Sequence, residues 1–314
     1  MDNGSSFHLT FPSTLSTFLS CQLHPISLWP DLPPRPFILS TSARPSSMAR
    51  YTRLLSRLKL PIEYMAYCVA GDNDNGDNVT NEKVDAREFC SQLRREDGVS
   101  GAISKDIKGL VIAELDEVDD LAATIGAVNT VLVKGEGKLC GYNTDAEGFR
   151  KVVAVVVRRR GVKRATVYGY GGVTAVVVAV LVSLGVEVAI VGRRMDAAAA
   201  KAEELGCEVW TEEWRGELFV NAAPVNDWPL SEAANFVPAL ACAMAVFDHE
   251  MPGRFLREFC EENGLEHIEG ITMYWPQMEA QWRLFLDDWM KYTKSKIDEL
   301  PRLLREAEEE STST

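Results

Sequence analysis

Ala165-Thr-Val-Tyr168 reads as a strand that runs straight into a glycine turn, Gly169-Tyr-Gly-Gly172, and an apolar segment, Val173 to Leu184, follows before Gly185 closes it. A strand, a tight turn and an apolar helix in that order leave few folds open, because the helix must pack back on the sheet that the strand belongs to. Gly169 allows a sharp exit from the strand. Gly171 and Gly172 let the backbone approach an anion with no Cβ in the way. The helix starting near Val173 points its free N–H groups at the same place. The expected element is the pyrophosphate turn of a Rossmann-type unit. The glycines alone fit a plain tight turn as well, and their position between strand and helix favours the anion site.

The next strand, Glu187 to Val191, ends in Gly192-Arg193-Arg194. An NAD site usually places Asp or Glu there for the ribose 2′-hydroxyl, whereas arginines suit the extra 2′-phosphate of NADP. NADP is therefore expected as the cofactor, with NAD the less favoured choice. Two solvated surface arginines are the alternative. An alanine-rich helix over Asp196 to Leu205 and short strands over Glu217 to Ala222 and Ala243 to Asp248 extend the doubly wound pattern.

Upstream, Phe37 to Ser40 reads as a strand, Met48 to Leu60 as a helix, Pro61 to Val69 as a strand, 71–81 as a polar loop and Glu82 to Glu96 as a helix. Met278 to Glu310 reads as one long helix with Trp282, Phe285 and Trp289 on one face, which Pro301 should kink or break. The expected fold is α/β in two domains. Residues 1–36 form a poorly ordered extension, 37–150 a substrate-binding and catalytic domain, 151–275 a Rossmann-type NADP-binding domain, and 276–314 a helical segment packing back on the first. The formal net charge of −13 argues against a nucleic-acid surface. The apolar run from Val173 to Val182 is too short to span a membrane. No Lys or Arg occurs in residues 1–34, unlike secretory or organelle leaders, so a cytoplasmic protein is expected, with organelle targeting left open. The seven cysteines are scattered singly, and His8, His24, His249 and His267 show no ligand spacing, so no metal site is expected. His249 stands at the end of a strand, where it either touches a ligand or is structural.

Two polar motifs precede the glycine turn: Gly126-Ala-Val-Asn-Thr130 and Gly141-Tyr-Asn-Thr-Asp-Ala-Glu-Gly-Phe149. Together with the turn, they resemble the shikimate/quinate dehydrogenase family over about residues 37–290. The resemblance implies a lysine and an aspartate flanking the reacting hydroxyl. Ser104-Lys-Asp-Ile-Lys108 stands ahead of Leu115-Asp-Glu117, which puts the lysine at Lys108, and the aspartate falls on Asp145. It further implies that Asn129 and Gln277 bind substrate and that Asn221-Ala-Ala-Pro224 and Gly270 lie beside the nicotinamide. Such a lysine–aspartate pair can hydrogen-bond the hydroxyl oxygen and move its proton. The implied partner is a small polyol acid, handled by a monomer or homodimer.

The chain also departs from the family pattern. Where the family carries Ser-x-Ser-Pro for the substrate carboxylate, this chain has Ser42-Ala-Arg44-Pro-Ser46, as in the divergent shikimate-dehydrogenase-like branch. Arg44 can grip a carboxylate through two parallel hydrogen bonds; the alternative is an outward-facing Arg44 with Ser46 binding instead. Asp106 replaces a proline, the Asp-x-x-Tyr segment appears as Asp248-His-Glu-Met-Pro252, and Ala175 and Val176 stand where a basic residue is common. The rival reading is a catalytically weak, dehydrogenase-like sensor for shikimate-pathway metabolites.

Overall fold

The structure, a computed structural model, describes residues 36–42, 44–67, 85–95, 98–104, 107–225, 236–250, 254–289 and 298–312. The N-terminal extension up to residue 35, the polar loop 71–81, Asp106, His8, His24, Met251 and Pro252 lie outside the described residues.

The first half builds a mixed sheet. Its elements are β1 (Phe37–Ser40), α1 (Pro45–Leu58), β2 (Glu63–Ala66), α2 (Ala86–Leu93), β3 (Gly98–Ala102), β4 (Glu117–Val118), α3 (Asp120–Ile125), β5 (Thr130–Lys134) and β6 (Lys138–Tyr142). The strand order is β2-β1-β3-β5-β6-β4. β1 runs parallel to β2 and β3, and β5 runs antiparallel to β3 and β6. That alternation has a functional consequence. The carboxyl ends of β1, β3 and β6 and the amino end of β5 share one edge, so Ser42, Asn129 and Asn143 are delivered to the same rim.

The second half follows through α4 (Thr144–Arg160). It comprises β7 (Arg164–Tyr168), α5 (Gly172–Ser183), β8 (Glu187–Val191), α6 (Met195–Leu205), β9 (Glu208–Val209), β10 (Leu218–Asn221), α7 (Phe236–Leu240), β11 (Ala245–Asp248), α8 (Arg254–Asn263) and β12 (Glu266–Glu269). All pairings are parallel, in the order β12-β11-β10-β7-β8-β9. The strand order reverses between β7 and β10, and the crevice at their carboxyl ends is where such sheets bind ligands. α5 is apolar on every side, as a helix buried between layers must be. Its valines disfavour an isolated helix, and burial of Val176, Val177, Val178 and Val180 outweighs that preference.

Among the described residues, two more α-helices, α9 (Ile271–Phe285) and α10 (Leu300–Thr312), follow β12. Trp282, Phe285, Leu300 and Leu304 share one buried cluster with Ile38, Leu54 and Leu58 of the first sheet and α1. The expected single helix from 278 to 310 is therefore corrected. The first helix starts seven residues earlier, with Pro276 inside it, and stops at Phe285. Pro301 is the second residue of α10, where the N–H that proline lacks has no helical partner anyway, so it starts a helix instead of kinking one. The position 150/151, expected as a domain boundary, lies inside the continuous α4.

Candidate active site

The two polar motifs meet at the start of α4. Asn143 caps the helix, its Oδ1 accepting the Ala146 N–H at 3.1 Å while its amide donates to the Ala127 carbonyl at 2.9 Å. Asn129 lies opposite, 2% exposed. Its Oδ1 accepts the Thr144 N–H at 2.9 Å, and its Nδ2 donates to Thr144 Oγ1 at 3.0 Å and to Asp145 Oδ1 at 2.9 Å. The Val128 N–H donates to the Lys108 carbonyl at 2.8 Å. Lys108 Nζ donates to Asp145 Oδ2 at 2.6 Å, with both side chains partly exposed. From the far end of the sequence, Gln277 on α9 donates through Nε2 to Asp145 Oδ1. Three sequence-predicted residues, Lys108, Asn129 and Gln277, thus converge on the carboxylate of a fourth, Asp145.

Counting acceptors shows what remains available. Asp145 Oδ1 accepts from two amides, and Oδ2 accepts from the lysine, which leaves one lone pair on Oδ2 for a further donor. The lysine ammonium keeps two N–H groups beyond its bond to Asp145. A hydroxyl placed between them can donate to Asp145 and accept from Lys108.

The parallel sheet packs beside this rim: His249, just past the end of β11, rests on Phe149 of α4, and Ile125 of α3 shares a buried cluster with Ala175 and Val176 of α5. Gly169 has φ +126°, and a Cβ there would stand 2.9 Å from the Ala222 carbonyl oxygen, so the turn at the crevice requires glycine. Beyond it the cradle is open: a Cβ on Gly171 or Gly172 would meet nothing within 4 Å. Gly171 is the N-cap of α5 and supplies no side-chain cap, and no acidic residue occupies the first turn, where Val173 is exposed. Arg193 and Arg194 are exposed just past β8. An open glycine cradle, an uncapped helix start and two guanidiniums suit a pyrophosphate with an extra phosphate near β8, so the residues present fit NADP.

Other predicted residues fall differently. Asn221 turns inward: its side chain is fully buried, donating to Asp248 Oδ1 at 2.8 Å and accepting from Ala223 N–H at 3.2 Å, because a buried amide between two strand ends must find partners there. It shapes the loop after β10 instead of reaching outward. Gly270 is buried too, and a Cβ there would lie 2.5 Å from the Asp248 carbonyl oxygen. Gly192 is covered by the ring of Tyr170. Ser42 is partly exposed and donates its backbone N–H to Ser40 Oγ at 3.1 Å. Arg44 is exposed at the N-cap of α1 and its side chain makes no capping bond; Ser46 lies in that helix's first turn.

No family model matches the chain. It is 31% identical over 205 residues to the shikimate dehydrogenase (NADP(+)) of Brucella abortus (strain S19), covering 60% of this chain and 70% of that one. The chain belongs to the shikimate dehydrogenase family. A second member, from Thermus thermophilus, is 36% identical over 185 residues, 57% of this chain and 69% of its own. Among solved structures, a shikimate 5-dehydrogenase of Thermus thermophilus, in complex with NADP(H) and shikimate, superposes with a TM-score of 0.61 at 28% identity, over 88% of this chain and 99% of that one.

Sequence reasoning gave no role to Gln281 or Gly148, and left His249 open, although all three pack beside this candidate site. Gln281, one turn beyond Gln277, donates to Thr130 Oγ1 at 3.0 Å and to the Asn129 carbonyl at 3.3 Å, tying α9 to the first motif. Its signal was the i, i+4 spacing from Gln277. Gly148 lets α9 approach α4: a Cβ there would stand 2.7 Å from both Gln277 Cβ and the Met273 carbonyl oxygen. His249, left open by the sequence, stands against Phe149 at 5.4 Å and Phe247 at 4.8 Å between ring centroids, with Nδ1 3.1 Å from the Asn221 carbonyl. That carbonyl can only accept, so Nδ1 carries the proton. Burial pushes the imidazole pKa down to about 4, and the ring is neutral near pH 7.

Proposed function

We propose that this protein interconverts shikimate, or a related cyclic polyol acid such as quinate, and the corresponding 3-dehydro acid with NADP. The observation that carries the reading is the Lys108–Asp145 pair at 2.6 Å, held by Asn129 and Gln277 at the rim that faces the glycine cradle. When bound, NADP would supply the acceptor for a hydride from the carbinol carbon. Asp145 accepts a hydrogen bond from the substrate hydroxyl through Oδ2, and Lys108 donates to the hydroxyl oxygen, so the pair orients the group and takes its proton as the carbonyl forms. Asn129 and Gln277 hold Asp145 in place and border the substrate. Arg44, or Ser42 and Ser46, serves the substrate carboxylate. Gly169, Gly171, Gly172 and Val173 hold the pyrophosphate, and Arg193 and Arg194 the 2′-phosphate.

The reading includes a division of labour between 37–150 with 276–314, which hold the substrate, and 151–275, which hold NADP. It includes a cytoplasmic enzyme acting as a monomer or homodimer on a small molecule, with no nucleic-acid partner. Among the described residues no helix is long and apolar enough to cross a membrane. The sensor alternative is not favoured, because the pair that would move the proton is intact and the relatives named above are dehydrogenases. Steady-state turnover of purified protein with shikimate and quinate, each with NADP+ and NAD+, tests the reading. Turnover with at least one acid, and a higher kcat/KM with NADP+, is expected. No turnover with either acid refutes it.

A further inference from the structure

The glycine turn holds a large aromatic residue, Tyr170, between Gly169 and Gly171. Its ring lies against Gly192 at the end of β8. A Cβ built on Gly192 would lie 2.7 Å from ring atom Cε1 and 2.8 Å from Cδ1. Only glycine at position 192 lets the ring settle on the backbone there. The guanidinium of Arg194 lies over this ring, 5.9 Å from its centroid. Arg194 is exposed and begins α6 as its N-cap. Its side chain would otherwise sample many rotamers in water, and a guanidinium resting on a ring face loses some of that freedom before any ligand arrives. Asp196, the nearest acid in sequence, sits in the first turn of α6, where it faces the helix's positive end instead of standing at the strand terminus.

We infer that Tyr170 is a positioning residue for cofactor choice: its ring, seated on Gly192, holds the Arg194 guanidinium where the 2′-phosphate of NADP binds. The inference rests on the NADP reading above. It adds that discrimination against NAD resides partly in the glycine turn itself and not only in the arginines. Tyr170 touches Arg194, and Arg194 acts on the phosphate.

Fluorescence titration of the full-length protein with NADP+ and NAD+ tests this without any turnover. Tyr170→Phe keeps the ring face and should bind both cofactors like the wild type. Tyr170→Ala and Tyr170→Leu remove the face, and the leucine keeps apolar cover over Gly192. Both should raise the Kd for NADP+ by about two- to fivefold, the range of an exposed cation–π contact, and leave NAD+ unchanged. In an Arg194→Ala background, Tyr170→Leu should cost nothing further. Equal losses for both cofactors, the same loss without Arg194, or tighter NADP+ binding would each overturn the inference, the last because the ring would then be an obstruction. Failure of the NADP reading itself shows separately, as a wild-type protein that binds neither cofactor or prefers NAD+.

Discussion

The proposed chemistry turns on Asp145, and its surroundings explain why. Two amides and one ammonium meet its two oxygens, so the carboxylate is oriented before substrate arrives. Lys108→Ala and Asp145→Asn should each lower kcat by roughly 10²–10⁴-fold, the range for a lost acid–base group, with thermal melting nearly unchanged because both side chains are partly solvated. Turnover near the wild-type level in both variants would remove them from the mechanism. His249 makes a different prediction. Its folded pKa is about 4, below its ordinary 6.5, so the unfolded chain takes up the proton first as pH falls. Its contribution to stability is present above about pH 6.5 and lost on the way down to about pH 4. Melting temperatures measured across that window should fall less steeply for His249→Phe than for the wild type. At this scale the motifs made Lys108, Asn129, Asp145 and Gln277 legible in the sequence. The inward turn of Asn221 was not, because the partner that draws it in, Asp248, is distant in sequence and recruited only when β10 and β11 pair.

Among the elements, α4 and α9 matter most, since their contact sets the distance between Asp145 and Gln277. Gly148 is where they come closest. Gly148→Ala would bring its methyl against Gln277 Cβ and the Met273 carbonyl, one of them backbone, so the helices must separate. A loss of about 1–3 kcal/mol in urea unfolding is expected, the usual cost of overpacking, together with a raised KM as Gln277 leaves Asp145. A neutral outcome in both measurements would show that the contact has slack. The connection between β1 and α1 gives a further test. If Arg44 binds the substrate carboxylate, Arg44→Lys keeps the charge but loses the planar fork, and KM should rise with kcat changed less. Silence there together with damage from Ser46→Ala would hand the role to Ser46. α5 was legible in the sequence despite its valines, because the glycine turn and Gly185 bracket it. α9 was misplaced, because Pro276 argues against a helix that packing on the first sheet nonetheless sustains.

Across the whole molecule, two sheets turn their functional edges toward each other. One edge carries the Lys108–Asp145 pair, the other the glycine cradle. Phe149, one helical turn beyond Asp145, rests on His249 just past the end of β11, so the two edges meet through packed rings. The parallel sheet was legible from strand–turn–helix alternation. The mixed order of the first sheet was not, since β5 and β6 lie under the two polar motifs and their antiparallel pairing leaves little trace beside the site residues. The central claim is that a hydride passes across this cleft from the carbinol carbon of a bound polyol acid to NADP+. Shikimate carrying deuterium at the reacting carbon, or quinate if that proves the substrate, tests it in a single turnover with stoichiometric enzyme. The deuterium should be recovered on the nicotinamide ring with the 3-dehydro acid as co-product, and Asp145→Asn should slow the transfer. Formation of the 3-dehydro acid with no deuterium on the nicotinamide, or no transfer to NADP+ with either acid, would contradict it.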